Sequence, residues 1–303
     1  MKPTLLILAA GMGSRYGGLK QIDKLGPSGE TIIDYSVYDA MNAGFDKVVF
    51  VIRKSIETDF KEAIADKYKG KIEVDYVLQE TDKIPEGIVF NPEREKPWGT
   101  GHAILMAAEK VTAPFAVING DDFYGADAFK EMSIFLSNLT PEDKNSYSMV
   151  GYRMGNTLSE NGYVSRGVCT VNANNELTNV VEHMQIERKN NQIEAFDAQQ
   201  NVIVLAENTP VSMNFWGFSP SIFDYLKSMF TQFIESNKDN LKAEFYIPSV
   251  VNELIQNHSV SAKVIDTSAQ WFGVTYQEDR ATVVESLRKL HVEGVYPTPL
   301  WKK

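Results

Sequence analysis

Two cations stand in a glycine-rich stretch directly after the first apolar segment of the chain. Residues 5–9 are apolar throughout, four glycines fall between positions 11 and 18, and Arg15 and Lys20 supply positive charge. Glycines let backbone N–H groups approach a bulky anion, and a neutral ligand would not need the two cations. The sequence therefore predicts that a nucleoside triphosphate (NTP) binds this loop.

Two common phosphate-binding motifs do not fit the loop. The dinucleotide motif G-x-G-x-x-G requires a glycine where the chain has Tyr16. The P-loop motif requires a Gly-Lys pair, but Lys20 follows Leu19. We therefore expect a third type of triphosphate-binding loop.

Residues 8–15, with a Lys-Gln pair a few positions later, resemble the opening signature of the sugar-1-phosphate nucleotidyltransferases, which make nucleotide-sugars. The resemblance implies that the loop wraps the triphosphate, that Arg15 holds the outer phosphates and that Lys20 neutralises charge at the phosphorus under attack. The implied catalytic residues are Arg15 and Lys20, and the implied nucleotide-binding residues of the loop are Ala10, Gly11 and Gly13.

Two later segments match the part of that signature that binds the base. Gln79 ends the third predicted strand and matches a glutamine that reads a pyrimidine base. Gly99, Thr100 and Gly101 match a segment whose backbone hydrogen-bonds the edge of the base. The resemblance therefore favours a pyrimidine nucleotide. Each match also has a structural alternative: a polar strand end at Gln79, and a helix N-terminus at the glycine segment.

Two consecutive carboxylates follow the fourth predicted strand. Asp121 matches the aspartate that binds the catalytic magnesium in the family, and Asp122 is a candidate for supporting that site or contacting substrate. Mg²⁺ needs few protein carboxylates because phosphate oxygens and water complete its coordination. The implied cofactor is Mg²⁺. The alternative is a turn whose aspartate caps the next helix.

The acceptor side of the signature is only partly present. Glu182 matches an acid that binds sugar hydroxyls, but His183 stands where the family has a lysine for the sugar phosphate. Either phosphate recognition differs in this chain, or Arg188 or another cation compensates. Asn214 matches an asparagine of a strand that lines the sugar pocket.

The sequence departs from the family signature at two further places, the predicted triphosphate loop and the predicted magnesium site. Residues 16–19 replace a longer, proline-containing spacer that is common in hexose-specific enzymes. Gly273 stands where many relatives carry an aspartate that is the second magnesium ligand. Either Asp121 and the phosphates hold the metal alone, or Asp266 substitutes, or activity is altered.

Alternating strand and helix patterns over residues 4–120 predict a parallel sheet covered on both faces. After about residue 140 the pattern is mostly strands, and the last third returns to helices. The predicted class is α/β: a Rossmann-like three-layer nucleotide-binding fold with a mainly parallel, mixed sheet and a β-rich sugar-binding extension. We expect one domain, 1–303, with a nucleotide-binding half (1–140) and an acceptor-binding half (141–303). Ligands in such sheets lie beyond the carboxyl ends of the strands.

The amino-acid composition limits the classes of partner and the cellular location that are expected for the protein. The chain has 30 basic and 40 acidic residues, a net charge of −10, which argues against nucleic acid. A single cysteine, Cys169, suits a reducing cytoplasm, and no apolar run is long enough for a membrane span. We expect a cytoplasmic enzyme, and a homo-oligomer is left open.

The predicted reaction is in-line attack of a sugar 1-phosphate on the α-phosphate of an NTP, which gives an NDP-sugar and pyrophosphate. Two alternatives stay open. One is a cytidylyltransferase for phosphocholine or another small phosphate ester, and the other is a non-catalytic regulator that binds nucleotide-sugars.

Overall fold

A computed structural model describes residues 1–11, 22–64, 67–196, 201–274 and 276–301. Gly13, Arg15 and Lys20 lie outside the described residues. The first half of the chain contains β1 (Thr4–Leu8), α1 (Ile32–Asn42), β2 (Lys47–Ile52), α2 (Glu57–Ile64), β3 (Glu73–Leu78), α3 (Thr100–Leu105), β4 (Phe115–Asn119), β5 (Asp122–Phe123) and α4 (Ala126–Ser137).

The second half is richer in strands. Its elements are β6 (Ser146–Arg153), β7 (Val164–Val171), β8 (Leu177–Lys189), β9 (Gln192–Phe196), β10 (Val202–Leu205), β11 (Pro210–Phe218), α5 (Ile222–Asn237), α6 (Ile247–Gln256), β12 (Ser261–Asp266), β13 (Phe272–Gly273) and α7 (Asp279–Val292).

Four parallel strands form the part of the sheet that the sequence predicts best. β1 lies between β2 and β4, with Leu6 opposite both Val49 and Val117, and β3 adds to β2. Successive side chains of a strand point to opposite faces. Leu5 accordingly packs in one apolar core and Leu6 in another, so helices cover both faces. This arrangement confirms an α/β fold with three layers.

The sheet changes direction at β11. This strand runs antiparallel to β4 and also pairs with β6 and β7, while β12 is parallel to β6. The antiparallel ladder β7–β8–β9–β10 extends one side of the sheet. The predicted mixed sheet with a β-rich extension is confirmed.

Two predicted elements have different bounds. The charged amphipathic pattern of residues 55–69 predicts one helix, of which the described α-helix covers Glu57–Ile64. The pattern of residues 202–218 predicts strand throughout, but a turn divides it, in which Thr209 N donates to Ala206 O and Thr209 Oγ1 accepts from Ala206 N. Within the described residues, no helix is long and apolar enough to cross a lipid bilayer.

The end of the chain packs against α1. The Tyr296 hydroxyl donates to the buried Asp39 carboxyl at 2.7 Å, and the Tyr35 hydroxyl lies 2.8 Å from His291 Nε2. These tyrosines belong to a third apolar core that mixes residues from both ends of the chain with Phe123 of β5.

Candidate active site

A cleft of about 710 Å³ opens between the end of β4 and the strands of the second half. It brings together residues that the sequence analysis selected from widely separated segments. The selected residues that line it are Thr100, Asp121, Asp122, Glu182 and Asn214.

The two aspartates of the cleft have different surroundings. Asp122 lies in β5, and its Oδ2 accepts from Asn119 Nδ2 at 3.0 Å. Removal of the carboxyl group from solvent and the neighbouring charge of Asp121 raise the pKa of Asp122 to about 7, which the charge of Arg166 opposes. The two aspartate carboxylates therefore repel each other when both are ionised, and a bound cation would reduce that repulsion.

Gly273 is placed directly against this pair. β13 pairs with β5 so that Gly273 lies opposite Asp122, and a Cβ added at Gly273 would stand 2.5 Å from Asp122 Oδ1. The Asp122 carboxyl therefore fills the space that a side chain at position 273 would need. Asp266, the substitute considered from the sequence, is exposed at the end of β12 and is not among the cleft-lining residues.

Residues 9–11, which directly follow β1, start from the same edge of the sheet as the aspartates. Gly120 N donates to Leu8 O at 2.9 Å, and Ala10, at 4 % exposure, packs in the apolar core at the carboxyl end of β1. Gly11 follows it at the surface. The predicted triphosphate loop and Asp121 therefore start from the same edge of the sheet.

Gln79 is buried and makes contacts within the protein. Its Nε2 donates to Gly99 O at 3.0 Å and lies 3.3 Å from His102 Nδ1. His102 Nε2 lies 2.7 Å from the Lys83 carbonyl, which can only accept, so Nε2 carries the proton and Nδ1 accepts from Gln79. Burial lowers the pKa of His102 to about 4, so the ring is neutral at neutral pH. Both amide hydrogens of Gln79 are thus occupied, and its Oε1 is the atom that it can offer to a base.

The glycine segment at 99–101 packs against Phe245. Gly99 has φ 100°, and a Cβ there would stand 2.7 Å from Phe245 O. Gly101 N donates to Phe245 O at 2.8 Å, and Thr100 Oγ1 accepts from Ile247 N at 3.0 Å. Close packing alone therefore requires these glycines, and their predicted contact with a base stays a prediction.

The acceptor wall is formed by alternate residues of β8. Val180, Glu182 and Met184 line the cleft, as the period of a strand requires. His183 falls between them, is not among the lining residues, and has Nδ1 3.1 Å from Phe196 O. The ladder shifts register just beyond, where Gln185 has φ 58°. His183 is therefore not positioned to replace the family's lysine.

Arg188 is also outside the cleft. It is exposed and pairs with the exposed Glu207, with Nη2 and Oε2 3.0 Å apart. Among the described residues, the cation that lines the cleft is Arg166 of β7, which is 8 % exposed. The sequence analysis missed Arg166, although a lone cation within the strand at residues 164–171 was a signal that could have found it.

Asn214 reaches the cleft from an irregular part of β11. The pairing with β6 shifts register between Ser212 and Trp216, and Asn214 has φ 59°. Bulges of this kind re-aim side chains next to functional sites. Trp271 and Tyr246 complete the aromatic part of the lining.

A model of the family described as "Nucleotidyl transferase" matches residues 4–279. The match covers both halves of the cleft and most of the chain. The chain belongs to the nucleotidyl transferase family. No curated protein matches its sequence significantly.

Solved structures support the fold of this nucleotidyl transferase over nearly its whole length. An inositol-1-phosphate CTP transferase from T. maritima is 16% identical, with a TM-score of 0.62 and 96% of each chain covered. A putative glucose-1-phosphate thymidylyltransferase from Bacillus anthracis is 14% identical, with a TM-score of 0.61, and covers 94% of this chain and 95% of its own. A UDP-glucose pyrophosphorylase is 19% identical, with a TM-score of 0.58, and the match covers 95% of this chain and 99% of that structure's chain. The Rossmann-like fold is confirmed.

The carboxylates of the nucleotidyl transferase cleft suit Mg²⁺. Asp121 and Asp122 offer hard oxygen donors, which this ion prefers, and both line the cleft. Among the described residues, no group of three or more acidic, histidine or cysteine side chains could hold a metal. The donor set therefore fits an ion that takes most of its ligands from phosphate and water.

Proposed function

We propose that this nucleotidyl transferase joins an NTP, preferably a pyrimidine nucleotide, to a sugar 1-phosphate. An oxygen of the sugar phosphate attacks the α-phosphorus, the bond from that phosphorus to the β-phosphate oxygen breaks, and pyrophosphate leaves with the electron pair. The products are an NDP-sugar and pyrophosphate. The observation that supports this proposal most is that Asp121 and Glu182, from widely separated segments, line one cleft.

The residues divide into two groups. Arg15 and Lys20 would face the triphosphate, and Asp121, with Asp122 beside it, would hold Mg²⁺, which when bound offsets negative charge on the phosphates. Glu182 and Asn214 would bind hydroxyls of the acceptor. Because a phosphate monoester is already a nucleophile, the protein mainly aligns two anions and reduces their repulsion.

The names of the structural neighbours support the choice of substrates. They refer to CTP with inositol 1-phosphate, to thymidylyl transfer with glucose 1-phosphate, and to UDP-glucose. All three nucleotides carry pyrimidine bases, and all three acceptors are cyclic polyols. For Gln79, an Oε1 acceptor would suit the imide N–H of uracil or thymine, or the amino group of cytosine.

The test is pyrophosphate release with Mg²⁺ across UTP, dTTP, CTP, ATP and GTP, each with glucose 1-phosphate, inositol 1-phosphate or phosphocholine. We expect release with a pyrimidine NTP and a polyol phosphate. Asp121→Asn should lower turnover by about 10²-fold, as expected for loss of one electrostatic contact. Asp266→Asn, the same change at an exposed aspartate, should have no effect.

The results distinguish the alternatives. Release with CTP and phosphocholine alone would replace the sugar phosphate by a small phosphate ester. Nucleotide-sugar binding without release in any combination would indicate a regulator, and the proposed activity would be wrong.

A further inference from the structure

We propose that Arg166 binds the phosphate of the acceptor, so that the acceptor lies with its phosphate at Arg166 and its hydroxyls at Glu182. This inference rests on the proposed function. In the sequence, His183 takes the position of the family's phosphate-binding lysine and Arg188 is a possible replacement. Neither residue lines the cleft.

The described lining of the cleft carries more negative than positive charge. Three carboxylates, Asp121, Asp122 and Glu182, line it, and Arg166 is the one cation among the described lining residues. A phosphate ester entering between three carboxylates is repelled unless positive charge is placed close to it. Arg166 belongs to β7, in the half of the chain that forms the acceptor wall.

The guanidinium of Arg166 is buried and retains an unused donor. Nη1 donates to Ser165 O at 2.8 Å, and Nη2 donates to Thr157 O. Nε has no hydrogen-bond partner among the described residues. Buried N–H groups in proteins are nearly always paired, so this donor indicates an acceptor that a ligand supplies.

Trp271 presents a second unused donor at the same place. The Arg166 guanidinium carbon lies 4.8 Å from the centre of the Trp271 ring, and Trp271 Nε1 also has no partner among the described residues. Both side chains line the cleft and an adjoining cavity of about 100 Å³. Two N–H donors and a positive charge on one wall match the oxygens of a phosphate group.

The hydroxyl side of the proposed subsite is one residue away. Gly167 lies opposite Glu182 in the β7–β8 ladder, and a Cβ at Gly167 would stand 3.1 Å from Val180 Cγ2 and 3.7 Å from Glu182 Oε2. The glycine therefore keeps the floor of the cleft free of a side chain beside Glu182.

The experiment first establishes pyrophosphate release by the wild-type protein with the best NTP and acceptor of the panel. No release would refute the proposed function rather than this inference. The Michaelis constants for acceptor and NTP are then measured separately for Arg166→Met, Arg166→Lys and Arg188→Met. Arg188→Met is the matched control because it removes an exposed arginine outside the cleft.

We expect Arg166→Met to raise KM for the acceptor by about 10- to 100-fold and to leave KM for the NTP within about twofold, as expected for loss of a charged hydrogen bond. Inorganic phosphate should compete with the acceptor in the wild type and more weakly in the variant. Arg188→Met should change neither constant.

Two results would overturn the inference: an unchanged acceptor KM in folded Arg166→Met, or equal increases for acceptor and NTP, which indicate a structural role only. If Arg166→Met does not fold, Arg166→Lys decides. It keeps the charge but lacks Nε, so the inference requires a selective increase of about tenfold in acceptor KM. An increase below twofold would refute it.

Discussion

Restoring an aspartate at position 273 should damage this protein rather than improve it. In Gly273→Asp, the new Cβ would stand 2.5 Å from Asp122 Oδ1 and 3.1 Å from Trp271 Cζ2. Overpacking of this kind costs about 1–3 kcal/mol. At pH 8 a second carboxylate about 4 Å away would protonate Asp122, whose pKa is already raised to about 7, at a cost of about 1.4 kcal/mol. The expected loss of unfolding free energy, about 2–4 kcal/mol, is a large part of the total stability of many domains.

The assay is urea unfolding followed by circular dichroism at pH 8, which is above the pKa of about 7 of Asp122 in the wild type. Gly273→Ala isolates the packing contribution and should lose about 1–3 kcal/mol. Combining Asp122→Ala with Gly273→Asp moves the carboxylate across the β5–β13 ladder, so it should recover most of the stability that Gly273→Asp loses. It should also release pyrophosphate faster than Asp122→Ala alone.

One outcome would refute the reasoning directly. If Gly273→Asp unfolds within about 0.5 kcal/mol of the wild type, the range of ordinary surface substitutions, then Asp122 does not fill the space opposite Gly273. Failure of the exchanged pair to recover stability would show that Trp271, rather than Asp122, limits position 273.

Two further predictions concern the segment that the sequence assigns to the base. Gly99→Ala should lower the free energy of unfolding by about 2–4 kcal/mol, because it combines a positive φ with a Cβ 2.7 Å from Phe245 O. The control Gly87→Ala has a positive φ but no atom within 4 Å of its Cβ, and should lower it by about 1–2 kcal/mol in the same urea assay. The pKa of His102 is depressed to about 4 from 6.5, so unfolding binds protons between these values and stability falls as pH falls through this window, by about 3 kcal/mol in total. His102→Leu should remove that part of the pH dependence, and an unchanged slope between pH 6.5 and 4 would contradict a neutral buried ring.

Local sequence patterns were sufficient to predict those elements whose own residues determine their secondary structure. The alternating strand and helix patterns of residues 4–120 predicted the parallel strands β1 to β4 and the helices between them. Motifs likewise selected Asp121 and Glu182, which the fold brings into one cleft.

The missed features depend on pairing between distant segments. Gly273 looks like a lost ligand until β13 is placed against β5 and Asp122 is found in the vacated space. The β8 register decides that Glu182 lines the cleft and His183 does not. Local periodicity specifies neither a pairing between residues 151 positions apart, as for Asp122 and Gly273, nor the register of a hairpin.

The packing of the chain end against α1 has a consequence for biosynthesis. The core that contains Tyr35 and Phe123 also contains Leu287 and Tyr296. A ribosome makes α1 well before the residues that cover this face of it, because Tyr35 and its partner His291 are 256 residues apart. Since domains fold as units during synthesis, a nascent chain carries an uncovered apolar face on α1 until the residues of α7 and Tyr296 have also been made.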